Sequence, residues 1–219
     1  MNVKRSLPRS DQPDAVNFIG NLQGRKVVLR KSQSVYSQGS RAEHVFFIRS
    51  GHVKLFVLSE QGKEAVVGLL GPGDLFGEWC VSGHVRQLSN AVAVTDCTLL
   101  KVAKKKVLSA IHADRSFADF FINYMLRGKR VVEENLVDLM FNSTEKRLAR
   151  ALLLLARFGK KGKPLVTVPR VSQDTLAALI GSTRTQVNPL MKKFKKLGFI
   201  TYDGGMEVRN SLLNVVLHD

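Results

Sequence analysis

The chain has 219 residues, 44% of them hydrophobic, with 34 Lys or Arg against 18 Asp or Glu for a formal net charge of +16. That length accommodates two domains with real cores, and the charge points to a polyanionic partner, either nucleic acid or an anionic membrane. The longest apolar run, Ala151 to Ala156, is far short of the roughly 18 to 20 residues of a spanning helix. The start, Met1-Asn2-Val3-Lys4-Arg5-Ser6, carries charge with no apolar stretch behind it, so no signal peptide and no membrane partner are expected, and the expected location is the cytoplasm. Cys80 and Cys97 are the only cysteines, too few for a disulfide framework or a four-thiolate metal site; both read as small core residues.

Residues 1–26 are polar, with Pro8 and Pro13, and read as a loosely ordered lead-in. From Val27 to about His112 the apolar residues come in short runs: Val45-Phe46-Phe47-Ile48, then Val53, Leu55 and Val57 in alternation, Ala65-Val66-Val67, Leu69-Leu70, Val92 and Val94, and Leu99-Leu100 with Val102. Gly39, Ser50-Gly51, Gln61-Gly62, Gly71-Pro72-Gly73-Asp74 and Ser82-Gly83 punctuate them. About eight short strands at this spacing predict a sandwich, barrel or jelly-roll-like unit.

Near Ser116 the period changes, and a helical pattern runs to Asn142 without proline. Phe117, Phe121, Tyr124, Met125, Gly128, Val132, Leu136 and Leu139 fall at three- and four-residue steps and form one stripe. Such a stripe either covers the β-unit alone or also pairs with its twin in a dimer; the second reading is favoured. Asn142-Ser143-Thr144-Glu145 then reads as a hinge and a helix start. From Ser143 onward the chain holds 14 Lys or Arg against 5 Asp or Glu, more than half of the excess charge, so the polyanion is expected there.

Ser172-Gln173-Asp174-Thr175 opens a short helix, with Ser172 as N-cap and Asp174 at the positive end of the dipole. Leu176, Ala177, Leu179 and Ile180 give it an apolar side, and Gly181 supplies a left-handed end. Ser182-Thr183 caps a second helix to about Leu197, in which Val187, Leu190, Met191, Phe194 and Leu197 are the expected buried face. Arg184, Thr185, Asn188, Lys192, Lys195 and Lys196 lie opposite. Phe199-Ile200-Thr201-Tyr202, the turn Asp203-Gly204-Gly205 and Met206-Glu207-Val208-Arg209 form a hairpin suited to be a wing. Helix, glycine turn, basic helix and wing make the winged helix-turn-helix plan.

The residue types fit the major groove. Arg184 can fork onto guanine O6 and N7, Thr185, Gln186 and Asn188 offer shorter contacts to bases or phosphates, and the later lysines suit phosphate. The candidate DNA-binding set is Ser172, Gln173, Thr183, Arg184, Thr185, Gln186, Asn188 and Lys192. A solvated lysine face is the bland alternative. Pro189 sits inside the second helix, where it loses a donor and crowds the carbonyl of Thr185, so a kink or an irregular first turn is expected.

Tyr36-Ser37-Gln38-Gly39, Ile48-Arg49-Ser50-Gly51, the run Gly71-Pro72-Gly73-Asp74-Leu75-Phe76-Gly77-Glu78, the helix end Leu139-Met140-Phe141 and the stretch Leu176 to Arg184 occur in the order that marks one family. On these residues the span from about Val27 to Asp219 resembles the Crp/Fnr family of bacterial transcription regulators. The resemblance implies an α+β chain. Its parts are a double-stranded β-roll of the cyclic-nucleotide-binding, jelly-roll-like kind over 27–112, a dimerisation helix and hinge over 113–142, and a winged helix-turn-helix over 143–219. It also implies a homodimer on a near-palindromic double-stranded DNA operator, with RNA polymerase as a partner. Phe121, Tyr124, Met125, Gly128, Val132, Leu136 and Leu139 would form the dimer helix. The Gly159-Lys160-Lys161-Gly162-Lys163 turn would lie where relatives touch polymerase, although its lysines equally suit phosphate.

In cyclic-nucleotide-binding relatives a glycine-glutamate pair and an arginine-serine pair hold the ligand's sugar and phosphate, at a junction between the roll and the long helix. Gly77 and Glu78 match the first pair. Counting back from Cys97, Gln87 and Leu88 fall where arginine and serine belong, with Arg86 and Ser89 each one residue out, a slip that turns a strand side chain to the opposite face. Val132 and Glu133 stand where cyclic-AMP receptors offer small hydroxyl residues to the base. A buried phosphodiester without guanidinium keeps its desolvation cost and loses a charge-assisted bond. Cyclic AMP is therefore disfavoured as the effector; a cyclic-nucleotide-responsive regulator and an effector-independent one remain the alternatives, and no cofactor is assigned. An iron–sulfur switch needs about four cysteines, and haem on Cys80 with His84 is disfavoured because a histidine in a polar turn is usually a surface residue. No nucleophile elbow, metal pair or phosphate loop marks an enzyme, and no catalytic or metal-binding residue is assigned. A β-roll serving as the regulatory subunit of a non-DNA protein would leave the capped helices and wing without a use.

Overall fold

The computed structural model describes residues 22–157, 165–168, 171–202 and 205–217. Three predicted features lie outside them wholly or in part: residues 1–21 of the lead-in, the Gly159 to Lys163 turn, and Asp203-Gly204 of the wing turn. The contacts separate the chain into two units, one running through Val131 and the other from Val132. The divide falls inside the long helix.

The first unit begins with eight strands: β1 (Arg25–Leu29), β2 (Ser34–Tyr36), β3 (His44–Ser50), β4 (Val53–Leu58), β5 (Glu64–Leu70), β6 (Leu75–Phe76), β7 (Asn90–Ala93) and β8 (Cys97–Ala103). They pair antiparallel in two four-stranded sheets, β1-β8-β3-β6 and β2-β7-β4-β5. β1 starts two residues inside the segment read as a loose lead-in, and Val94 falls beyond the end of β7.

Strand β3 explains the layering. Its apolar run is continuous rather than alternating, the mark of a strand covered on both faces. Phe46 and Ile48 join Val53, Leu70, Phe76, Ala91, Ala93, Cys97 and Leu99 in the core between the sheets. Val45 and Phe47 face the other way, into a second core with Leu100, Val102, Val107, Phe117, Phe121 and Tyr124.

That second core is closed by two helices, α1 (Lys104–Ala113) and α2 (Arg115–Phe141). The strand-rich reading to His112 is corrected here, because its last residues form α1. The helix follows β8 without a break, and its N-cap, Ala103, has no side-chain acceptor to announce it. Asp114 does announce α2: its Oδ1 accepts from the N–H of Ser116 at 2.9 Å and of Phe117 at 3.2 Å. These bonds and the Ser116 hydroxyl hold its carboxyl below the ordinary range.

The dimer-helix expectation is corrected in part. Phe121 and Tyr124 lie in the roll core, so neither is available to a twin chain. The Tyr124 hydroxyl accepts from the Leu75 N–H at 2.7 Å and donates to the Leu75 carbonyl at 3.1 Å, tying α2 to β6. The exposed apolar residues of α2 are Ile122 and Leu126 in this unit and Val132, Leu136, Val137, Leu139, Met140 and Phe141 beyond the divide. Met125 is partly buried against the core, and a Cβ at Gly128 would meet open space.

The second unit contains the end of α2, then α3 (Thr144–Arg157), β9 (Leu165–Val168), α4 (Gln173–Leu179), α5 (Arg184–Lys196), β10 (Ile200–Thr201), β11 (Met206–Arg209) and α6 (Leu213–Leu217). Ser143 caps α3, its Oγ accepting from the Lys146 N–H at 3.3 Å. Leu148, Leu152 and Leu155, at helical spacing, pack into a core with Leu176, Val187, Met191, Phe194, Ile200, Val208 and Leu212, all essentially inaccessible. The wing sheet has three strands in the order β10-β11-β9; β9 lies far upstream of the hairpin. Among the described residues no helix is long and apolar enough to cross a membrane.

Candidate nucleic-acid interface and effector segment

The start of α4 is held by Ser172, whose Oγ accepts from the Thr175 N–H at 3.1 Å. Its end turns through Ile180 into Gly181, whose φ of +61° suits glycine and whose added Cβ would stand 2.9 Å from Leu139 Cδ1. The Ser182 N–H returns to the Ala177 carbonyl at 2.9 Å, closing the turn. Thr183 then caps α5, its Oγ1 accepting from the Gln186 N–H at 3.4 Å. The Thr183 carbonyl accepts from both Gln186 and Val187 at 3.0 Å, so the first turn of α5 is tightened.

Val187, Met191 and Phe194 form the buried face of α5, with Leu190 half-buried. Leu197 departs from the expectation: it is the C-cap and is exposed, because the helix ends before that position returns to the core. At 3.6 residues per turn the centre of the opposite face is Thr185, Pro189, Lys192 and Lys196, all exposed, with Arg184, half-buried Asn188 and Lys195 along one flank. α5 runs through Pro189 without a break, so the tightened first turn, rather than an interruption, accompanies the proline.

Several polar groups on this surface already have partners. Arg184 Nη1 lies 3.2 Å from Asp174 Oδ2, a contact absent from the reading of Asp174 as a dipole residue alone. The Ser182 hydroxyl donates to Gln186 Oε1 at 2.6 Å. Lys193 Nζ pairs with Glu145 of α3 at 2.7 Å, and Lys195 Nζ sits 5.6 Å from the Tyr202 ring centre. Thr185 and Lys192 are exposed, and Gln173 is half-buried. The result is a cationic face rimmed by hydroxyl and amide groups at the amino end of a capped helix, able to receive phosphate and base edges.

In the first unit, Gly77 takes φ +78°, and a Cβ there would stand 2.8 Å from the His44 carbonyl oxygen, so the turn after β6 requires glycine. Glu78 opens a single 3-10 turn, Glu78–Cys80, and burial pushes its carboxyl pKa up. The strand-slip argument for Arg86 is corrected: residues 84–89 are not a ladder strand, and Arg86 forms only an isolated bridge with Arg41. Its exposed guanidinium donates to the Gly39 carbonyl at 2.8 Å. Gln87 is buried, its N–H bound to the Ser40 carbonyl and its own carbonyl to the Gly39 N–H, each at 2.8 Å. Leu88 is exposed, and Ser89 is half-buried and hydrogen-bonded to Tyr36. Val132 and Glu133 are both exposed on α2 in the second unit.

Cys80 and His84 do not form a ligand pair. Cys80 is sealed in the core facing the helices, where burial pushes its thiol pKa up to about 11. His84 is exposed, bonded to Ser82 at 3.0 Å and edge-on to Trp79 at 5.3 Å. Among the described residues no group of three His, Cys, Asp or Glu is placed to hold a metal ion.

Residues 26–114 match the model of the cyclic nucleotide-binding domain, and residues 146–211 match that of the Crp-like helix-turn-helix domain. The cyclic AMP receptor protein of Thermus thermophilus is 30% identical over 184 residues, covering 84% of this chain and 83% of that protein. The chain belongs to the Crp/Fnr family of DNA-binding transcription regulators. A CRP-like cAMP-activated global transcriptional regulator of Mycobacterium tuberculosis is 28% identical to this Crp/Fnr regulator over 195 residues, 88% of this chain and 87% of the other. The structure of FixK2 from Bradyrhizobium japonicum shares its fold, with a TM-score of 0.79 at 20% identity over 90% of this chain and 98% of that one. By its name the Mycobacterium tuberculosis relative is a regulator of transcription.

Proposed function

We propose that this regulator works in the cytoplasm as a homodimer that sets α5 of each copy in the major groove of a near-palindromic operator. The working parts are the roll over 27–112, the long helix and hinge over 113–142, and the winged helix-turn-helix over 143–219. The reading is carried by the exposed cationic face of α5, with Arg184 in its first turn. Arg184 reads guanine, with Thr185, Gln186 and Asn188 beside it, while Lys192, the capping residues Ser172 and Thr183, and Gln173 in the first turn of α4 meet phosphate. Two such helices one DNA turn apart need a two-fold partner; the exposed apolar residues of α2, Leu126, Val132, Leu136 and Leu139 among them, suit a second copy. RNA polymerase is the partner expected once the operator is occupied.

Selection of bound duplexes from a random pool at stated salt tests this reading. A two-fold symmetric consensus is expected, and a pool returned without enrichment would overturn it.

The names of the curated relatives favour a second reading, in which cyclic AMP is the effector, and retention of Gly77 and Glu78 agrees with it. Against it stand Gln87 at the arginine position and an Arg86 turned to the Gly39 carbonyl. Operator binding with and without cyclic AMP separates them: the favoured reading expects affinities that are equal.

A further inference from the structure

Tyr36 stands on β2 opposite Ala91 of β7, inside the roll. Its ring lies 5.7 Å from that of Phe46 and 6.0 Å from that of Phe76, which stack on each other at 5.1 Å. The Ser89 side chain hydrogen-bonds its phenol, and Glu78 lies close enough to act on it electrostatically. Burial raises the pKa of the phenol and of the Glu78 carboxyl alike.

Glu78 and Ser89 are two of the polar groups that the effector reading offers to a ligand's sugar and phosphate, and the Tyr36 ring packs on Phe76, two residues before Glu78, while its strand pairs at Ala91, two residues after Ser89. The guanidinium such a ligand needs is engaged elsewhere, since Arg86 is exposed and donates to Gly39. Gln87 is pinned by both its backbone bonds.

We propose that Tyr36 is a built-in occupant of the polar end of the roll and sets its specificity by excluding the phosphate and ribose of a cyclic nucleotide. This rests on reading Gly77 to Ser89 as the effector segment of a DNA-binding regulator. The physical basis is competition. A nucleotide that reaches for Ser89 must expel a phenol that already satisfies it and must uncover Phe46 and Phe76. In return it meets no guanidinium, so its phosphate is desolvated without a charged partner.

Calorimetry with cyclic AMP on the full chain tests the proposal, comparing wild type with Gln87→Arg, Tyr36→Val/Gln87→Arg and Tyr36→Leu/Gln87→Arg. Tyr36→Leu keeps an apolar side chain over the two phenylalanines, so loss of folding in the valine variant does not remove the test. The wild type is expected to show no saturable binding, and the double variants to bind about tenfold or more tighter than Gln87→Arg alone. Micromolar binding by the wild type, equal affinity of single and double variants, or no binding by any variant overturns the proposal. Operator binding by nucleotide-free wild type is measured alongside. Its absence counts against the regulator reading, whereas retained DNA binding with nucleotide affinity indifferent to Tyr36 counts against this proposal alone.

Discussion

Asp174, in the first turn of α4, holds Arg184, the first residue of α5, across a gap of 3.2 Å. The side chains keep 65% and 61% of their surface exposed, so the pair adds little to stability, about 0–1 kcal/mol. Its consequence is directional, because a guanidinium tethered at one edge presents the other. Arg184→Ala is expected to weaken the preferred operator by about 1–3 kcal/mol and to relax the preference at one base pair. Asp174→Asn should leave the melting temperature unchanged and blunt the same preference. Selection of bound sequences with each variant checks both, and an undiminished guanine preference in Arg184→Ala removes the assigned role.

Lys192 lies at the centre of the exposed face of α5. As a phosphate contact it carries no sequence information. Lys192→Ala should weaken preferred and random duplexes by the same factor and lower the salt slope by about one. Titrations at several salt concentrations measure this, and a loss confined to the preferred site contradicts it.

Pro189 interrupts the hydrogen bonding of α5 without interrupting its course. Pro189→Ala restores a backbone donor facing the Thr185 carbonyl and should stabilise the domain by an amount approaching about 3 kcal/mol. Because Pro189 shares the exposed face with Thr185 and Lys192, operator affinity should change as well. Thermal melting and DNA titration together decide; if neither moves, the proline is without consequence.

Tyr124 serves both backbone groups of Leu75 with one hydroxyl. Tyr124→Phe removes that partner from buried groups and should cost about 1–3 kcal/mol. Burial also raises the phenol pKa above its ordinary value of 10.0. The unfolded phenol ionises from about pH 10 while the folded one stays neutral, so this contribution is complete below pH 10 and shrinks as pH rises further. Urea unfolding of both proteins at pH 8 and above pH 10 should show the gap narrowing; a gap that widens at high pH refutes the sign.

Much of the DNA-binding half was legible because its signals are local. Ser172 and Thr183 cap the helices that follow them, and Gly181 occupies the left-handed turn. The roll's strands were legible from their punctuation, but α1 was not, since Ala103 caps nothing and Val107 is its only buried residue. Leu197 misled because spacing alone continues an apolar face past the point where the helix stops. Strand β9 was missed because its partner, β11, lies far away in sequence.

Periodicity, capping residues and charge, all readable along the chain, determined that this protein is a β-unit, a long amphipathic helix and a basic helix-turn-helix. Only the tertiary structure decided which residues of the α2 stripe are core, that Arg184 answers to Asp174, and that Tyr36 sits beside Glu78 and Ser89. A pattern states that a side chain is apolar or polar and which way it faces on its own element. What lies against it comes from residues dozens of positions away, and burial, pairing and pKa all follow from that neighbour.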